Sequence, residues 1–323
     1  MKEFDLIRRY FTQAPRHTDV VLGVGDDAAL LRVPPGHELA VSVDTLIRGV
    51  HFPPQTPPAA VGHKALAVNL SDLAAMGATP RWITLALTLP EQEPDWLEGF
   101  ARGLLNLAGQ HGVELVGGDT TRGPLSITVQ IMGVVPAGAA LRRRGARPGD
   151  RIMVTGTPGD AALALQRLLA GQPLDPDDPL RRRLDRPTPR MAAGLALRGL
   201  ATACIDISDG LCQDLGHVLA ASGVGATLRT SDLPLSAAFL AHMPAERVDW
   251  SLPLAGGDDY ELLFTVPQPQ VALVHERLAG TGCPVAEIGV IEAELGLRVL
   301  DSVGDRLALD RGGYDHFQTA ESS

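Results

Sequence analysis

Six short stretches of this 323-residue chain set aspartate beside glycine, serine or threonine. They are GVGDDAALL (23–31), SVDT (42–45), NLSDLAAMGA (69–78), GGDTTRG (117–123), DISDGLCQDLGH (206–217) and GGDDYELLF (256–264). Short carboxylates on turn-forming backbone converge readily on a hard cation. Mg²⁺ suits such oxygen donors, takes few of them from protein, and leaves its other positions to water and phosphate oxygens. A single Gly-Asp pair is more often a turn than a ligand. Six motifs in one chain shift that balance, because Asp26 beside Asp27 and Asp258 beside Asp259 repel unless solvated or neutralised. Asp72 lies within an otherwise apolar helical pattern, where burial of an uncompensated charge is expensive and a metal relieves it. In GGDTTRG the missing Cβ atoms let backbone amides come close to a phosphate. The chemistry these residues suit is metal-assisted phosphate transfer.

Composition narrows the field. With 38 acidic against 28 basic residues the formal net charge is −10, which disfavours nucleic acid and anionic membrane as partners. No G-x-x-x-x-G-K-[ST], no G-x-G-x-x-G after a strand and no kinase HRD or DFG set occurs, so P-loop and dinucleotide-binding proteins are disfavoured. The three cysteines, Cys204, Cys212 and Cys283, fall in no Cys-x-x-Cys pattern, so neither a disulfide framework nor a zinc site is expected. MKEFDLIRRYF has mixed charge and no long apolar core, unlike a signal peptide, and no run is long enough for a membrane span. A soluble, cytoplasmic protein is expected.

The elements that must hold the loops alternate along the chain. Strands are predicted over 38–47 and 81–89, and helices over 57–77, opened by prolines and closed by glycine, and 95–112. Two further strands flank DTTRGP, giving an α+β pattern to about residue 137. The basic, turn-rich PAGAALRRRGARPGD (136–150) marks the crossover to a second domain, so the predicted division is 1–137 and 138–323. QPLDPDDPLRRRLDRPTPR (172–190) reads as a surface excursion of that second domain.

Together GDDAA, SVDT, HKALAVNLSDLAAMGA, GGDTTRGPLSITV, ARPGD, DISDGL and GGDDYEL resemble the thiamine-monophosphate kinase family, of the superfamily of aminoimidazole ribonucleotide synthetase. The resemblance implies a ferredoxin-like α+β N-terminal domain for metal, ATP and dimerisation, and an α/β C-terminal domain completing the active-site cleft. Two copies pair through their N-terminal sheets into a shared barrel. The implied reaction moves the γ-phosphate of ATP onto thiamine monophosphate, the last step of thiamine diphosphate biosynthesis. Residue by residue, it implies metal contacts at Asp27, Ser42, Val43 (through its carbonyl), Asp44, Asp72, Asp119, Asp206 and Asp209. Nucleotide contacts fall on Gly118, Asp119, Arg143 and Ser208, and substrate contacts on His51, Asp258 and Tyr314. Asp258 stands where the family's GGEDYEL motif carries Glu.

Both reactants are anionic. At 4 Å two unit charges repel by about 4 kcal/mol at an effective dielectric of 20, so several Mg²⁺ ions bridged by Asp44, Asp72 and Asp119 would let the phosphates approach. The acceptor phosphate needs no strong base, its second pKa being about 6, so direct in-line transfer is expected. Asp258 and Tyr314 suit a flat thiazolium cation by charge and by cation–π attraction. Plain packing remains an alternative for His51 and Tyr314, and a solvated loop for Arg142–Arg144. Within the superfamily, selenophosphate synthetase carries an early reactive cysteine, whereas the first here is Cys204. GGDTTRG and NLSDLAAMGA point away from aminoimidazole ribonucleotide synthetase. A non-catalytic metal-binding module would explain the aspartates but not the nucleotide-type loops.

Overall fold

A computed structural model describes residues 3–12, 17–172, 174–308 and 313. It divides into two compact units, Met1–Ala140 with Asp185–Leu195, and Leu141–Leu184 with Ala196–Ser323. The first contains α1 (Glu3–Tyr10), β1 (Val20–Leu22), β2 (Leu30–Leu31), β3 (His37–Ile47), α2 (Pro58–Ala75), β4 (Thr79–Leu89), α3 (Pro94–Gln110), β5 (Glu114–Arg122) and β6 (Ser126–Pro136). The second opens with β7 (Arg151–Thr155), α4 (Asp160–Leu169) and α5 (Pro179–Asp185), whose last residue already belongs to the first unit. Then come α6 (Met191–Ala196), β8 (Ala203–Asp206), α7 (Leu211–Ser222), β9 (Gly225–Arg229), α8 (Ala237–His242) and α9 (Ser251–Ala255). The chain continues with β10 (Leu262–Val266), α10 (Val271–Ala279), β11 (Val285–Glu292) and β12 (Gly296–Leu300).

The first unit is a four-stranded sheet in the order β3-β6-β4-β5, antiparallel except for the β4–β5 pair, with α2 and α3 on one face. α2 is apolar almost all round, and a helix of that pattern must be buried. It packs so closely on α3 that a Cβ at Gly62 would stand 2.1 Å from the Phe100 carbonyl oxygen, and one at Gly103 2.0 Å from that of Ala59. The sheet's helix-facing side supplies Leu46, Ile83, Leu85, Leu87, Ile127, Val129 and Ile131, all buried. On the other face β1 and β2 bring Val20 and Leu31 against Trp82, whose indole N–H donates to Asp19.

The second unit is built on a six-stranded sheet, order β12-β9-β11-β7-β10-β8, antiparallel except where β12 meets β9. Its core runs through Ile152, Val154, Ile205, Leu215, Val218, Leu263 and Ile288. The mixed α/β, two-part architecture expected from the sequence is present. The stretch 172–190 differs from the expected surface excursion. Leu180 and Leu184 of α5 are buried with Leu163, Ala164 and Phe239, because a Pro- and Arg-rich composition conceals a short helix with one apolar face. Residues 185–195 then pack on α2: Pro187 accepts from the His63 ring at 2.9 Å, and a Cβ at Gly194 would meet the Ala74 carbonyl oxygen at 2.1 Å.

Candidate active site

In the first unit the acidic motifs sit on the sheet and its covering helix. Ser42 and Asp44 alternate with Val41 and Val43 along β3, and the period of two sends the two sets to opposite faces. The Ser42 hydroxyl donates to Asp72 Oδ2 of α2 at 2.5 Å, which identifies the helix side as the one that gathers oxygen donors. Asp44 shares that side. Asp72, near the C-terminal end of α2, is half-buried, so the charge expected inside an apolar helix keeps access to solvent. Val43 is 57% exposed on the other face, leaving only its carbonyl for an ion. Asp27 is exposed, and its backbone N–H donates to the Asp26 side chain.

His51 follows β3 and is half-buried. Its Nδ1 accepts from the Ile47 N–H at 2.9 Å, so the ring proton resides on Nε2, a donor suited to a phosphate. Across the sheet, Asp119 is exposed on edge strand β5, beside Gly118. Gly118 has φ +152, and a Cβ there would stand 1.9 Å from the Leu85 carbonyl oxygen of β4. Gly118→Ala is therefore expected to destabilise the protein by about 1–3 kcal/mol through overpacking, read as a lowered Tm. An unchanged Tm would show that β4 and β5 separate freely.

In the second unit three loops meet at one end of the sheet. β7 runs into TGTPGD (155–160) and β8 into DISDG (206–210), while antiparallel β10 begins where both end, preceded by GGDDYEL. Backbone bonds lock the last two loops together: Ile207 N–H donates to the Glu261 carbonyl, Tyr260 N–H to that of Ile207, and Asp258 N–H to that of Ser208. Asp206 is buried at the end of β8, while Ser208, Asp209 and Asp258 are half-buried. Asp258 and Tyr260 both take left-handed backbone, φ +68 and +50, and the Tyr260 hydroxyl donates to Asp258 Oδ1 at 2.9 Å. Arg143 lies exposed in the basic loop. Tyr314 lies outside the described residues.

The motif reading missed Asp214. This carboxylate in the first turn of α7 accepts from the backbone N–H groups of Ser208 and Asp209, at 3.0 and 3.1 Å, and so shapes the loop that carries both. Burial pushes it up to about 7, against the pull of those N–H groups. An acid in a helix's first turn is an ordinary place for a solvated charge, so its position in the sequence did not set it apart. Also missed were Asp160, Asp259 and Glu261, all buried, and Arg183 beside them. The three cysteines are buried and none is joined in a disulfide. Burial pushes the Cys204 and Cys212 thiols up, the latter to about 12, which removes them as nucleophiles.

Among the described residues no three His, Cys, Asp or Glu side chains gather closely enough to cage a metal by themselves. The donors present are oxygens on short side chains, with Ser42, Asp44 and Asp72 on one side of β3. That set fits Mg²⁺, which keeps waters and phosphate oxygens and needs only one or two protein carboxylates. No helix among the described residues is long and apolar enough to cross a membrane.

Two unit-sized α/β bodies edged by Gly/Asp loops match known proteins along nearly the whole chain. The model of the AIR synthase related protein N-terminal domain matches residues 25–135, and that of the C-terminal domain matches 147–302. The thiamine-monophosphate kinase of Escherichia coli (strain K12) is 49% identical over 323 residues, covering 98% of each chain. A crystal structure of thiamine-monophosphate kinase from Stenotrophomonas maltophilia K279a superposes with a TM-score of 0.84 at 48% identity, covering 88% of this chain and 92% of that one. A structure described as AaThiL complexed with AMPPCP and TMP gives 0.77 at 33% identity, covering 88% and 89%. The chain belongs to the thiamine-monophosphate kinase family of the AIR synthase related proteins.

Proposed function

We propose that this protein phosphorylates thiamine monophosphate to thiamine diphosphate with ATP. The observation that carries the reading is the match, along nearly the full chain, to a solved relative held with AMPPCP and TMP. The reaction breaks the bond between the γ-phosphorus and the β–γ bridging oxygen of ATP. A phosphate oxygen of the acceptor forms the new P–O bond, and ADP departs with the electron pair. That oxygen is ionised near neutral pH, so the protein's task is to orient and neutralise rather than to abstract a proton.

Asp27, Ser42, the Val43 carbonyl, Asp44, Asp72, Asp119, Asp206 and Asp209 would hold Mg²⁺. When bound, the ions neutralise phosphate charge that this net-acidic chain does not itself offset. Gly118, Asp119, Ser208 and Arg143 take the nucleotide. The support for Ser208 is its backbone, held in place by the Asp214 carboxylate. His51 donates from Nε2 to the acceptor's phosphate, while Asp258 and Tyr314 meet its thiazolium. The basic loop at Arg143 introduces residues 138–323, which we take as the second functional domain.

The protein acts as a homodimer, paired through the sheet of the first unit. The support for this is the row Leu39, Val41, Val43 and Ile47, each 41–57% exposed on the outer face of β3. Incubation with Mg²⁺, ATP and thiamine monophosphate is expected to yield thiamine diphosphate and ADP in equal amounts, and chelation of the metal to stop both. Accumulation of ADP without thiamine diphosphate would sink the assignment.

A further inference from the structure

We propose that Arg183, in α5, is a positioning residue for recognition of the cationic acceptor, acting through the backbone of the loop that carries Asp258. This rests on the reading of Asp258 as the carboxylate that meets the thiazolium. The loop from Asp258 to Glu261 alternates in character. Asp258 and Tyr260 occupy left-handed backbone, a costly state for side chains other than glycine that persists only where the surroundings enforce it. Asp259 and Glu261, between and after them, point into the unit at 1% and 0% exposure. The inward residues are the anchors.

Each anchor is tied to the loop that follows β7. Both carboxylate oxygens of Asp259 accept from the Gly159 N–H, at 2.9 and 3.1 Å, and Glu261 Oε2 accepts from the Thr155 hydroxyl at 2.6 Å. Thr155 in turn accepts from the Leu262 N–H. Glu261 fits so tightly that a Cβ on Gly156 would lie 1.9 Å from its Oε1.

Arg183 is the cation that meets this acidic pair, with its side chain 17% exposed. Its Nη2 donates to Glu261 Oε1 at 2.5 Å and to the Asp259 carbonyl oxygen at 3.1 Å, gripping the loop on both sides of Tyr260. Asp259 is held up by burial and drawn down by the Arg183 charge. Without Arg183, Glu261 Oε1 and the Asp259 carbonyl oxygen each lose a donor in buried surroundings. The two strained residues offer the least costly relaxation. Release of φ at 258 and 260 breaks the Tyr260-to-Asp258 bond and moves the Asp258 carboxylate.

Arg183→Lys keeps the charge but removes the planar fork, and Arg183→Gln removes the charge. The KM for thiamine monophosphate is expected to rise roughly 10-fold in the first and up to about 100-fold in the second. The KM for ATP should rise less, because the Ser208 loop, although bonded to this one, keeps its own bonds to Asp214. Asp258→Ala should raise the KM for thiamine monophosphate, and adding Arg183→Lys to it should raise it no further, since both act at one point. A lowered Tm with unchanged KM in both Arg183 variants, or an additive double variant, overturns the positioning role while leaving Asp258 in place. An unchanged KM in Asp258→Ala overturns the reading of Asp258 and the role of Arg183 with it. If Arg183→Gln does not fold, Arg183→Lys and the double variant decide.

Discussion

Asp72→Asn and Asp44→Asn are each expected to lower kcat by about 10²- to 10³-fold, the usual size for loss of one charge-stabilising group in a phosphate-handling site. The fold should survive in both. An asparagine at 72 retains a side-chain oxygen that can accept from the Ser42 hydroxyl, so the β3–α2 contact is kept while the charge is lost. Asp44 is half-buried on a strand that pairs with β6 along its whole length, so its replacement leaves the main-chain ladder intact. Steady-state kinetics at saturating ATP, beside a melting curve, separate the two effects. Raising the Mg²⁺ concentration should recover part of the lost rate, because a weakened ion site refills by mass action. Near-normal turnover in both variants would remove the metal-binding role from this side of β3.

Much of this side was legible from residue types alone. The predicted strand 38–47 and helix 57–77 correspond to His37–Ile47 and Pro58–Ala75, because alternation and prolines at a helix start are local signals. Asp72 stood out because an uncompensated charge in an apolar helix is costly to bury, and Asp44 as an acid in a short Ser/Thr motif, whereas Ser42 was singled out through the family resemblance. Asp214 and Arg183 were not. An acid in a helix's first turn and an arginine in a Pro/Asp-rich run look like ordinary solvated charges until the fold buries their partners. Asp259 was counted with Asp258 as one acidic pair, yet the backbone turns them in opposite directions, and only Asp258 stays accessible. No local pattern announces that reversal, since it depends on the left-handed φ at Asp258 and Tyr260 and on bonds to residues about a hundred positions away.

Val41→Lys combined with Val43→Lys is expected to convert a dimer of twice 34.1 kDa into a 34.1 kDa monomer, measured by size-exclusion chromatography with light scattering. β3 is an eleven-residue edge strand whose outer face carries Leu39, Val41 and Val43 in succession, then Thr45 and Ile47. An edge of that length and character is normally blunted by charge, proline or a covering segment, and here the apolar row is left open instead. Both valines are more than half exposed within the chain, so lysine at either site disturbs no core packing. In a pair joined through this face, four lysines would lose their water against apolar neighbours and one another, raising the dimer Kd by about 10³-fold or more. A wild-type protein that elutes at 34.1 kDa, or a double variant that stays dimeric, defeats the pairing scheme. Because Ser42 and Asp44 lie on the opposite face of the same strand, the double variant leaves those side chains facing α2. A monomer that keeps its kcat would then place the reaction within one chain. A monomer that folds but loses kcat would show that β3 needs its partner to hold Ser42 and Asp44 in register.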